Sequence, residues 1–291
     1  MRTEVGEAAD AHTVDEGVGD DVEQGATIDA PFDRVIAERL DVPESPEAIY
    51  EDEASVYRPI STGDLFHGAQ IEGWTGVDAP HDLVMIVAHP SAMRDGATLK
   101  RRLRAAPVIP VNGVSSRKWT RGFYDIFPLP KLCETAELGG LVLEKHGWAA
   151  LLDLSAPAST DALNIQRRFA CLSPDGIHLL LQRLVHADTR VPVQLKTLAA
   201  TFAPKLVELD MLYTWNEELV PARLKAGGTL EDALLVAAQE FEDVADAAVG
   251  DSSIRMMLAQ ISKPGEAGRA GEAQRRFNEA LAARRLRDQS A

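Results

Sequence analysis

The sequence predicts an α+β protein in four parts. A disordered acidic N-terminal arm covers residues 1–56, and a β-rich domain, a small barrel or bent antiparallel sheet, covers 57–156. An α-helical domain follows over 157–262, and a basic helical tail over 263–291. Three observations carry this reading. Short β-branched apolar runs bounded by Gly and Pro fill the first half. Leucines recur at helical spacing from Ser173 onward. Charge is concentrated at one end: residues 1–56 hold 17 acidic against 3 basic side chains, and the other 235 hold 28 against 27, within a net charge of -15.

Up to Asp29 the arm has few apolar residues, no aromatics and many glycines, a composition that cannot bury enough surface to order itself. Phe32, Val35, Ile36 and Leu40 fit one short amphipathic helix, after which Pro43, Pro46 and Glu51-Asp52-Glu53 read as linker. Such an arm is a solubilising tail or an electrostatic cover for a basic face.

In the β-rich part, Leu83–Ala88 is a continuous apolar run that fits a strand buried on both faces. His89-Pro90 ends it, because proline has no amide hydrogen for the ladder. Gly63–Phe66, Ala106–Val111, Phe123–Leu129, Leu138–Glu144 and Trp148–Leu154 are the other expected strands. Short strands at this spacing suggest a small barrel or strongly bent sheet.

In the helical part, Ser173 caps a helix with Pro174 at its first position, and Ile177, Leu180, Leu181, Leu184 and Val185 share its apolar side. Further helices are expected near Leu195–Phe202, over Pro204–Leu219, over Leu230–Val249 behind the cap Thr229, within Ser253–Ile261, and over Glu272–Asp288. Gly250 is placed to stop the Leu230 helix, and Arg275, Arg276, Arg284, Arg285 and Arg287 make the last one basic.

No apolar run approaches the roughly 20 residues of a membrane span, and the first thirty residues lack the basic start and apolar core of a signal peptide. Cys133 and Cys171 have no metal-ligand spacing, and neither do His67, His81 and His89 beside Asp64 or Asp82. A cytoplasmic chain without cofactor or metal is the expectation.

Two stretches carry chemistry. His89, Ser91 and Arg94 lie in a loop after a buried strand, where a histidine can serve as general base or orient a nucleophilic hydroxyl. No G-x-S-x-G elbow surrounds Ser91, which speaks against acyl transfer. Lys100, Arg101, Arg102, Arg104, Arg117, Lys118 and Arg121 interleave with Trp119 and Tyr124. Cations suit phosphate oxygens and aromatic faces suit unstacked bases, so this run is the expected nucleic-acid-binding face.

Gly63-Asp64-Leu65-Phe66, a turn, and the strand ending in His89-Pro90-Ser91 resemble the opening of a PemK/MazF-like toxin barrel over residues 61–111. The resemblance implies an SH3-like fold and a role in toxin–antitoxin or phage-defence systems, cutting RNA or binding an antitoxin. Gly63 and Asp64 match the family by position, as the turn and start of the first strand. The chain departs from the family in carrying His81-Asp82 where members have an arginine–proline pair, and in its helical half. Two functions follow as expectations. The first is a prokaryotic cytoplasmic binding or regulatory protein whose barrel presents a basic face to RNA, DNA or a protein partner, with the helical domain as a second partner surface and no membrane contact. The alternative is an endoribonuclease-type toxin or phage-defence nuclease acting through the loop after the second strand.

Overall fold

Val84, Met85 and Ile86 send alternate side chains to two different apolar clusters, which is the behaviour expected of a strand buried on both faces. They form β2 (Val84–Ile86) of the sheet seen in a computed structural model. The structure describes residues 40–73, 82–112, 119, 125–145, 147–248, 251–263, 266 and 268–290. The other sheet strands are β1 (Leu65–Phe66), β5 (Arg102–Val111), β6 (Ile126–Pro128), β7 (Gly147–Leu151), β8 (Ala156–Ser159) and β9 (Arg168–Ala170). Their order is β6-β7-β5-β2-β1-β9, with β8 also on β5, and all pairings are antiparallel. A separate ribbon pairs β3 (Arg94–Asp95) with β4 (Thr98–Leu99).

β5 is the long strand that joins the sheet. Its start pairs with β8, its middle with β2 and its end with β7. Among the described residues β6 and β9 are the free ends of the strand order, so the strands make an open sheet rather than a closed barrel.

The helices are α1 (Pro90–Met93), α2 (Leu132–Leu138), α3 (Pro174–Thr189), α4 (Leu195–Lys225), α5 (Leu230–Asp246), α6 (Ile254–Leu258) and α7 (Gly268–Ser290). Ser173 Oγ accepts from Gly176 N at 3.1 Å, and Thr229 Oγ1 from Asp232 N at 3.1 Å, so both expected caps are formed. One sheet face packs on α3 and the start of α4, through Met85, Val108, Phe127 and Trp148 against Leu180, Leu184, Leu198 and Phe202. A second core lies among α4 to α7 around Trp215, Phe241 and Phe277. Among the described residues no helix is long and apolar enough to cross a membrane.

Four expectations are corrected. The stretch 40–56 is packed rather than linker: Leu40 and Ile49 are buried, Asp41 N donates to Gln182 Oε1 at 2.8 Å, and Tyr50 bridges to Leu172. Gly176 is required there, because a Cβ would stand 2.2 Å from the Ile49 carbonyl oxygen. The expected strand Leu138–Glu144 contains no strand. Its first residue ends α2, and Gly139 lies against the Phe169 backbone. The sheet continues past residue 157 through β8 and β9, so the helical half begins at Pro174.

The two helices expected around Pro204 are one. Pro204 has no N–H for the Ala200 carbonyl, and Ser262 Oγ donates to that oxygen instead at 2.8 Å. The basic tail forms its expected helix and docks through it: Ala273, Phe277 and Leu281 join the helical core, while Arg276, Arg284 and Arg285 pair with Glu272, Glu240 and Glu218. Residues 1–39, His81, Arg117, Lys118, Arg121, Phe123, Tyr124 and Gly250 lie outside the described residues.

Candidate anion-binding cleft

On β5 the burial alternates: Arg102 exposed, Leu103 buried, Arg104 exposed. Residues two apart share a face of a strand, so both guanidinium groups project on one side. Facing them, α3 presents Leu181, Leu184, Val185 and Asp188, a helical stripe at i, i+3, i+4 and i+7. Together with Val87, Ala88 and His89 at the end of β2, these residues line a cleft of about 480 Å³. That size falls within the roughly 300–1,000 Å³ of small-molecule sites.

Arg104 is oriented at the cleft mouth by a fork. Its Nη1 and Nη2 donate to Asp188 Oδ2 and Oδ1 at 3.1 and 3.3 Å, and its Nε to Ser155 Oγ at 2.7 Å. Arg102 Nε lies 3.2 Å from Glu72 Oε1, with both side chains well exposed. Exposed pairs of this kind contribute little and exchange readily. Lys100 and Arg101 are exposed just ahead of the strand. Arg102 and Arg104 thus line one edge of the cleft, and Lys100 and Arg101 precede them in the chain.

Trp119 departs from its expected role. It is 4% exposed, its ring meets Phe127 edge-on at 5.8 Å between centroids, and the buried Arg183 guanidinium lies 4.6 Å from the ring centroid. A ring held this way has no free face for a base. Aromatic interleaving in sequence signals stacking only if the ring points outward, and here apolar contact drew it inward.

The three loop residues divide. His89 caps α1: its Nδ1 accepts from Ser91 N at 3.2 Å and lies 2.6 Å from Ser91 Oγ. The ring meets Phe202 of α4 at 4.6 Å, and burial lowers its pKa from the ordinary histidine value. Arg94 turns away into the protein, donating to the carbonyls of Ala97 at 2.5 Å and Ile60 at 2.9 Å. Burial pushes its pKa down to about 10, against the opposing pull of Asp64 and Glu208. Ser91 and Arg94 border a separate cavity of only about 20 Å³, room for about one water. Among the described residues no three His, Cys, Asp or Glu side chains converge as metal ligands would.

Asp188, Ser155 and Glu72 carry no sequence signal that marks them as partners of this site. The α3 stripe was legible as an apolar face, but nothing local in sequence says that it ends on Asp188 opposite Arg104, 84 residues away. No protein-family model and no curated protein sequence matches the chain.

Proposed function

We propose that the protein is a binding or regulatory module that holds single-stranded nucleic acid by its phosphates, through Lys100, Arg101, Arg102 and Arg104. One observation carries this: four exposed cations just before and at the start of β5, with Arg102 and Arg104 at a cleft mouth and none held by a buried acid. Phosphate neutralisation by such a run supplies affinity without sequence readout. With Trp119 in the core, contact rests on charge rather than on that ring. The resemblance of residues 61–111 to PemK/MazF-like proteins makes RNA in a prokaryotic cytoplasm the first ligand to try. The test is fluorescence anisotropy with labelled single-stranded RNA and DNA on the full chain. Binding that weakens about tenfold in an Arg101→Ala/Arg102→Ala variant is the expected result, the size of losing one or two charge contacts. No binding at low salt would refute it and leave a protein partner of the helical half.

The nuclease alternative draws on the 2.6 Å contact between Ser91 Oγ and His89 Nδ1, a nucleophile beside a base. Against it, the same Nδ1 is engaged as the cap of α1 by Ser91 N. Incubating labelled RNA with the protein, with and without divalent metal, separates the two. Cleavage lost in both Ser91→Ala and His89→Ala would establish the enzyme, and intact RNA with binding retained is the outcome the binding reading predicts.

A further inference from the structure

The cleft beneath the charged run has the chemistry of a nucleotide site. Its depth is apolar, built from Val87, Ala88, Leu184 and Val185, while Arg102 and Arg104 stand at its mouth. A phosphate needs the second feature and a base face needs the first. We propose that the cleft receives one nucleotide, base inward and phosphate on Arg104 and Arg102, and that Asp188 occupies the phosphate position until the ligand arrives. This rests on the reading of the basic run as a nucleic-acid contact.

Asp188 is a suitable placeholder for three reasons. It accepts from both Nη atoms of Arg104, the same fork that a phosphate takes. It lies in the last turn of α3, where the negative end of the helix disfavours a carboxylate. It is exposed, so leaving requires no opening of the core. When it leaves, Arg104 keeps its aim, because Ser155 Oγ still accepts from Nε while donating to Leu152 O at 2.6 Å. A phosphate monoester, with more charge and three acceptor oxygens, therefore displaces the carboxylate on an arginine already oriented, and a phosphodiester, equal to it in charge, does so with the added contact of its base in the cleft.

Two sources could supply the nucleotide, a free monophosphate or one residue of a strand. The experiment measures binding of the full chain to a short labelled oligouridine and to an abasic sugar-phosphate oligomer of equal length, with uridine monophosphate as competitor. Ala92→Trp places a ring across the cleft from an exposed position on α1. It should weaken oligouridine binding about tenfold, the size of one lost base contact, and leave the abasic oligomer unchanged. Asp188→Asn should tighten both about threefold, the gain from removing a weak exposed competitor. Competition by the monophosphate assigns a free nucleotide, and its failure to compete assigns a residue of a strand. If Ala92→Trp spares oligouridine, or weakens both oligomers equally, the base pocket is overturned while the charged run stands. If the unaltered protein binds neither oligomer, both ideas fall.

Discussion

Asp64 and Arg168 form an ion pair sealed inside the protein, with Oδ2 2.8 Å from Nη1 and side chains 1% and 0% exposed. The same Oδ2 accepts from Ser61 N at 2.9 Å, and Arg168 also donates to the carbonyls of Arg58 at 2.8 Å and Ser55. The pair thus fastens β9 to the segment that leads into β1. Its turn needs Gly63, which has φ +85° and lies against Leu172.

Asp64→Ala leaves an unpaired buried guanidinium, and a broken buried pair costs about 3–5 kcal/mol. A denaturant midpoint lowered by that free energy divided by the slope, with the slope itself unchanged, is expected. A loss under about 1 kcal/mol would mean that the pair does not fasten these segments.

Arg255 of α6 links three elements: Nε to Glu208 at 2.9 Å on α4, and Nη2 and Nη1 to Glu242 at 2.8 Å and Asp246 at 2.6 Å on α5. Glu242 in turn accepts from Ala97 N in the β3–β4 turn, so the ribbon is latched to the helices through one carboxylate. Arg255→Met should destabilise by about 1–3 kcal/mol, discounted for partial exposure. It should also speed hydrogen exchange at the Ala97 amide. Lost stability with Ala97 exchange unaltered would contradict the latch.

Burial holds His89 below its ordinary pKa, so the folded ring stays neutral where the unfolded one begins to charge. Its contribution is fully present above about pH 6.5 and is lost as the pH falls toward the folded value. His178 and His186, also lowered by burial, act in the same direction. His89→Asn keeps a good helix cap and should flatten part of the fall in stability between about pH 7 and 5. An NMR titration placing the ring at or above the free-histidine value would oppose this.

What could be read in sequence was local. β2 and the caps Ser173 and Thr229 follow from neighbouring residues, and all three formed. What could not be read depended on distant partners. Pro204 looks like a helix boundary until Ser262, 62 positions on, satisfies Ala200. The acidic composition of 40–56 masks the buried Leu40 and two apolar anchors, Ile49 and Tyr50, whose sockets lie among distant parts of the chain. Of the site, the cations Arg102 and Arg104 were legible, while Asp188 as partner was not.

Trp119 offers a separate check on the aromatic part of the sequence reading. Trp119→Ala should cost about 3–5 kcal/mol, as large core truncations do. Trp119→Phe should leave RNA affinity within about twofold, since no base stacks on this ring. A loss of about 1–3 kcal/mol in binding with stability unchanged would put the ring back in the interface.

Exposed cations that hold phosphates, as proposed for those just before and at the start of β5, make RNA binding depend on salt. Each phosphate contact adds about 0.7 to the slope of log affinity against log salt for a single strand. Replacing Lys100, Arg101 and Arg102 together with Ala should therefore reduce the magnitude of that slope by about 2, alongside weaker binding. An identical slope in the variant, or no binding by the unaltered chain at low salt, would contradict the account.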